Sequence, residues 1–91
     1  MKLRIKGSLQ VREFIAALPP GGKRRLREAV RQAAHGEREP AALERQLEGY
    51  FKLKEPPWRI LCRFGPSPDG PALFLLFAWT RDEVYELLAE D

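Results

Sequence analysis

The sequence predicts an α+β fold: an N-terminal strand, a helical hairpin, an antiparallel meander of three strands and a short C-terminal helix, in one domain spanning 1–91. Two observations predict it. Apolar residues recur at helical spacing between residues 8 and 35, and the period changes from helix to strand at residue 50. Strong turn signals, "PPGG", "EPP" and "GPSPDGP", separate the periodic segments. At 91 residues the chain supports a single modest core.

Each element has its own signal. In "MKLRIKG", Leu3 and Ile5 alternate with Lys2, Arg4 and Lys6, the pattern of a half-buried strand. Ser8 can cap a helix whose inner face is Val11, Phe14, Ile15 and Leu18. "PPGG", Pro19 to Gly22, stops that helix and turns the chain. A second helix would bury Leu26, Ala29, Val30 and Ala33, keep Lys23, Arg24, Arg27 and Arg31 mostly outside, and end at Gly36. "REPAALERQLEG" reads as a helical turn or third helix, begun by Pro40 and closed by Gly49.

The period then becomes two. Tyr50, Lys52 and Lys54 point one way, and Phe51 and Leu53 the other. In "WRILCRF", Trp58, Ile60, Cys62 and Phe64 share a face opposite Arg59, Leu61 and Arg63. "GPSPDGP" reads as a long turn, and "ALFLLFAW", apolar on both faces, as a central strand. Thr80 to Glu83 matches a Ser/Thr-x-x-Glu capping box, opening a last helix that would bury Val84, Leu87 and Leu88.

Composition excludes several classes. Hydrophobic residues make up 44% and charged residues 32%, as in a soluble globular protein and not a disordered one. The longest apolar run, Pro71 to Trp79, is far short of the ~20 residues of a membrane span. Charges at the N-terminus occupy the place of a signal peptide's apolar region, so a cytoplasmic protein is expected. One cysteine, Cys62, allows no internal disulfide and falls in a strand pattern, as a buried inert thiol would. Net charge is +3 but uneven: residues 1–50 carry 11 Lys/Arg against 6 Asp/Glu, and residues 51–91 carry 5 against 7. The basic excess concentrates in "KRRLREAVR", where Lys23, Arg24, Arg25, Arg27 and Arg31 form a nucleic-acid or acidic-partner footprint, or else a solvated helix face.

Familiar catalytic sets are missing. His35 is the single histidine, in the last turn of a basic helix, and one Cys with one His cannot fill a metal shell, so neither metal nor cofactor is expected. The two serines are Ser8, a cap, and Ser67, in a turn, which leaves no Ser-His-Asp triad. What remains is Arg, Lys and Tyr. Lys52 and Lys54 share a strand face, Arg59 opens the next strand, and Arg81 and Tyr85 are four apart near a helix start. Taken singly, each also reads as a solvated or ion-paired side chain.

The stretch "LEGYFKLKEPPWRILCRF…ALFLLFAWTRDEVYELL" resembles the RelE/ParE superfamily of toxins from type II toxin–antitoxin systems. The family's core runs roughly Leu-x-Gly-x-x-(Arg/Lys)-(Leu/Ile)-(Arg/Lys), Tyr-Arg-Ile-x-Tyr, a strand, then His-Arg-x-x-x-Tyr. Leu47, Gly49, Lys52, Leu53, Lys54, Trp58, Arg59, Ile60, Cys62, Thr80, Arg81 and Tyr85 stand at those positions. "FIAALPPGGKRRLREAV" is similar to the family's helix–Leu-Pro–basic helix hairpin. Trp58 and Cys62 replace common tyrosines, Thr80 a common histidine, and Trp79 an arginine of RelE-like enzymes.

The resemblance implies a cognate antitoxin as partner and, for RelE-type members, metal-independent mRNA cleavage in the ribosomal A site. The 2′-hydroxyl would attack the adjacent phosphate and expel the 5′-hydroxyl. It implies that Arg59 and Arg81 hold the phosphate, and that Tyr85 serves as base or orients the 2′-hydroxyl. Lys52 and Lys54 would supply the cationic surroundings a tyrosine base needs, and the basic helix would meet ribosomal RNA. Two alternatives stay open: a non-RNase of the same fold, either a DNA gyrase inhibitor of the ParE kind or a toxin that only binds its antitoxin, and an unrelated binding module.

Overall fold

The computed structural model describes residues 2–80. The elements run β1 (Arg4–Gly7), α1 (Leu9–Ala16), α2 (Pro20–Ala34), β2 (Ala41–Ala42), a 3-10 turn (Arg45–Leu47), β3 (Phe51–Glu55), β4 (Trp58–Ser67) and β5 (Gly70–Thr80). One five-stranded sheet forms in the order β1-β5-β4-β3-β2. β1 runs parallel to β5, and the other pairings are antiparallel. The α+β class, the helical hairpin and the three-strand meander are those the sequence predicts. The expected C-terminal helix, with Val84, Leu87 and Leu88, lies outside the described residues.

Both helices pack on one face of the sheet. Val11, Leu26, Ala29, Val30, Ala33 and Ala34 close over Leu53, Ile60, Cys62, Leu73, Leu75 and Ala78, all buried. These apolar side chains supply the main driving force, at roughly 25 cal/mol per Å² removed from water. Phe14, Ile15 and Leu18 seal the rim, as does Leu3, whereas Ile5 of the expected inner pair is 45% exposed.

Ser8 caps α1, its Oγ accepting from Val11 N at 3.2 Å, and the same hydroxyl donates to Leu76 O. Gln10 then takes over where β1 has ended. Its Nε2 donates to Ala78 O and its Oε1 accepts from Ala78 N, both at 2.7 Å, so one amide stands in for a neighbouring strand. "PPGG" belongs less to a turn than to α2: Pro20 is its first residue, and Gly21 and Gly22 lie in its first turn. Gly22 is there for close approach, since a Cβ would come within 2.7 Å of Trp58 Cη2.

Two further sequence expectations give way. No helix begins at Pro40. Ala41 and Ala42 pair with Phe51 and Lys52 as an edge strand, and only Arg45–Leu47 turns helically. Between Gly36 and Gly49 too few residues remain to meet the cost of helix nucleation, while the β3 edge offers hydrogen bonds at once. The long turn at "GPSPDGP" is a tight hairpin instead. β4 continues to Ser67, Pro68 and Asp69 make the turn, and Gly70 enters β5 at φ 117°, a conformation closed to most L-residues. Ser67 Oγ donates to Gly70 O at 2.6 Å and closes it.

A β-bulge explains why "ALFLLFAW" reads as apolar on both faces. Leu61 pairs with Phe77 but Cys62 with Leu75, so Leu76 is an extra residue in β5. Leu75 and Ala78, three apart, both meet the helices. Phe74, Phe77 and Trp79 fall on the other face.

Candidate nucleic-acid interface

The candidate site lies on the sheet face turned away from α1 and α2. Cross-strand register places Lys54, Arg59 and Trp79 in one row and Lys52, Leu61 and Phe77 in the next. Beyond the bulge a third row holds Arg63, Phe74 and Lys6. Adjacent strands lie about 4.8 Å apart, so cations and aromatic rings interleave across a patch three to four strands wide. The Arg63 guanidinium sits 4.4 Å from the Phe74 ring centroid, and Gly65 leaves it room. Phe77 and Trp79 stack at 5.9 Å with an interplanar angle of 26°. Phe77 is 39% exposed and Trp79 3%.

Lys52 and Lys54 stand where the sequence puts them, half-buried and exposed respectively, on the same face as Arg59. Arg59 is only 6% exposed, and its Nη1 donates to the Trp58 carbonyl at 3.1 Å. Such a charge acts on a ligand mainly through its field, which water screens poorly there. Trp79 is its cross-strand partner, and the indole Nε1 is buried with no hydrogen-bond acceptor among the described residues. Arg81 and Tyr85 lie outside the described residues. Neither the aromatic rows nor the unpartnered indole was read from the sequence; the signal for the former was the unusual "ALFLLFAW" itself.

The basic helix face divides in two. Lys23, Arg24 and Arg27 line a shallow depression with Pro20, Glu28 and Arg31. Arg31 is occupied: it donates to Glu28 Oε2 at 2.6 Å, to Glu37 Oε1 at 3.2 Å, and its Nη1 meets His35 Nδ1 at 3.2 Å. The hydrogen bond from Arg31 holds the Glu28 carboxyl below the usual range. Arg25 is occupied as well. It lies over the Trp58 ring at 5.0 Å and donates to Glu55 Oε2 at 3.0 Å and to Pro56 O at 2.6 Å.

Glu55 also accepts from Arg38 Nη1 at 2.9 Å, so one carboxylate clamps α2, the loop after it and the β3–β4 turn. Burial pushes this carboxyl up, but the bonds from Arg38 and Arg25 outweigh it and its pKa lies below the ordinary 4.5. The clamp fixes the turn between Lys54 and Arg59, which contains the cis Pro56–Pro57 bond. Burial drives the Cys62 thiol up to about 11, as suits an inert core thiol. Among the described residues no three His, Cys, Asp or Glu side chains group to hold a metal, and no helix is long and apolar enough to cross a membrane.

No family model matches the chain, and no curated protein matches it with significance. Among solved structures, a chain of the toxin–antitoxin complex RelBE2 from Mycobacterium tuberculosis superposes with a TM-score of 0.60 at 23% identity, over 89% of this chain and 100% of that one. A YoeB/ParE toxin from Agrobacterium tumefaciens superposes with a TM-score of 0.65 at 16% identity, over 86% of this chain and 98% of that one. The fold is therefore of the RelE/ParE type.

Proposed function

We propose that the chain is the toxin of a type II toxin–antitoxin pair in the RelE/ParE superfamily, and that it cleaves mRNA on the ribosome. One observation carries the reading: on this fold, the sheet face away from the helices interleaves Lys52, Lys54, Arg59 and Arg63 with Phe74, Phe77 and Trp79. Cations tracking phosphates beside aromatic faces for bases are what single-stranded RNA needs.

In the reaction the 2′-oxygen bonds to phosphorus as the bond to the 5′-oxygen breaks. Tyr85 takes the 2′-hydroxyl proton, and a proton from solvent or a neighbouring acid reaches the departing 5′-oxygen. Lys52 and Lys54 meet the growing phosphorane charge, with Arg81 at the phosphate and Arg59 reinforcing the field from beneath. Lys23, Arg24 and Arg27 hold ribosomal RNA through salt-sensitive contacts. The antitoxin neutralises the chain by laying an acidic segment over these cations.

Parallel assays of protein synthesis from preformed mRNA and of DNA supercoiling by gyrase test this. Purified protein is expected to block the first and spare the second. Blocked supercoiling with intact translation would replace RNA cleavage by gyrase inhibition, and no effect in either would reduce the chain to an antitoxin-binding module.

A further inference from the structure

We infer that Phe77, backed by Trp79, is a base-stacking subsite for single-stranded RNA. The inference rests on the RNA reading above and adds to it where one base goes. Phe77 is a large apolar ring left 39% exposed on a face otherwise rich in cations, while its stacking partner Trp79 is 97% removed from solvent by the same measure. A ring held from behind at 5.9 Å is preorganised: it loses little freedom when a base settles on its outer face.

The bulge at Leu76 is what turns Phe77 outward. Unbroken alternation from Leu73 and Leu75 would have put residue 77 under the helices. Lys52, in the same cross-strand row as Phe77, lies two strands away, about 10 Å. Lys54 and Arg59 occupy the row of Trp79. A base on Phe77 therefore has cations for its flanking phosphates on one side. A second feature points to a ligand. The Trp79 indole N–H is buried and meets no acceptor among the described residues, and a buried donor left unmet destabilises the fold. A base carbonyl or phosphate oxygen drawn in beside Phe77 is an acceptor of the kind it lacks.

Fluorescence anisotropy with a short oligoribonucleotide, at low salt, tests the subsite in four combinations: wild type or Phe77→Ala, with intact RNA or RNA carrying a run of abasic residues. Loss of one stacked base weakens binding by roughly 5- to 150-fold. Wild type should lose that much on the abasic RNA, Phe77→Ala should lose it on intact RNA, and the two losses should not add. Phe77→Tyr should bind as wild type does. The abasic arm uses unaltered protein and so stands even where Phe77→Ala fails to fold. RNA binding by wild type that is equally strong with abasic RNA, or in Phe77→Ala, overturns the subsite and leaves RNA binding in place. Absence of any RNA binding by wild type overturns the RNA reading itself.

Discussion

Replacing Glu55 by Gln isolates the clamp that holds the turn between Lys54 and Arg59. The shape survives and the amide oxygen still accepts, so what is lost is the charge. Glu55 is 18% exposed and Arg38 32%, so their 2.9 Å pair is partly shielded and contributes about 1 kcal/mol. Arg25 is 53% exposed, and its 3.0 Å pair contributes less, about 0.3–0.5 kcal/mol. The sum, about 1–1.5 kcal/mol, corresponds to a melting temperature lower by about 5–10 °C in a domain of this size.

The pH dependence follows from the depressed carboxyl. A group whose pKa falls on folding stabilises above its unfolded value and loses that stabilisation as pH drops through its folded value. Thermal unfolding of wild type and Glu55→Gln should therefore differ fully at pH 7, and the gap should narrow as pH falls below 4.5. A gap of the same size at pH 7 and pH 3 would refute the charge argument, and so would no gap at pH 7.

Gly22→Ala forces a methyl to within 2.7 Å of the buried Trp58 ring; overpacking of about 1–3 kcal/mol exceeds the helix-propensity gain of at most about 1 kcal/mol. Its neighbour Gly21 has nothing within 4 Å, so Gly21→Ala should be neutral or stabilising by up to about 1 kcal/mol, and urea titrations of the two variants report the contrast. Cys62, with its thiol near 11, should resist iodoacetamide at pH 8 in the native state and react on unfolding, as mass spectrometry would report. In RNA-binding titrations across salt, the double variant Lys52→Ala/Lys54→Ala should flatten the slope of log K against log salt by about 1.4, or about 0.7 for each phosphate contact removed.

The elements that periodicity reads well were those with one buried face. Leu26, Ala29, Val30 and Ala33 recur at helical spacing because α2 rests on the sheet along one stripe, and Leu53 and Ile60 alternate because β3 and β4 are inner strands. Ser8 as a cap was legible because the side chain itself supplies the missing acceptor. Elements set by partners distant in sequence were not. Ala41–Ala42 have no strand signal and pair because the β3 edge is there, and Gln10 binds Ala78 across 68 positions.

The candidate site divides the same way. Alternation puts Lys52 and Lys54 on one face of their strand and Arg59 opposite Ile60 on the next, and the β3–β4 register brings the three onto one face. The Leu76 bulge, which brings Phe77 onto that face, is invisible to a strict period of two. Charge counting also could not separate Arg25 and Arg31, tied to Glu55 and to Glu28 and Glu37, from Lys23, Arg24 and Arg27 in the depression beside them.

The most direct test of the proposed mRNA cleavage is primer extension on a defined mRNA in a purified translation reaction, comparing wild type with Lys52→Ala/Lys54→Ala. New 5′ ends within A-site codons that require ribosomes and fade in the double variant are expected. Intact mRNA, or the same cuts at the same strength after both lysines are removed, would contradict the proposal.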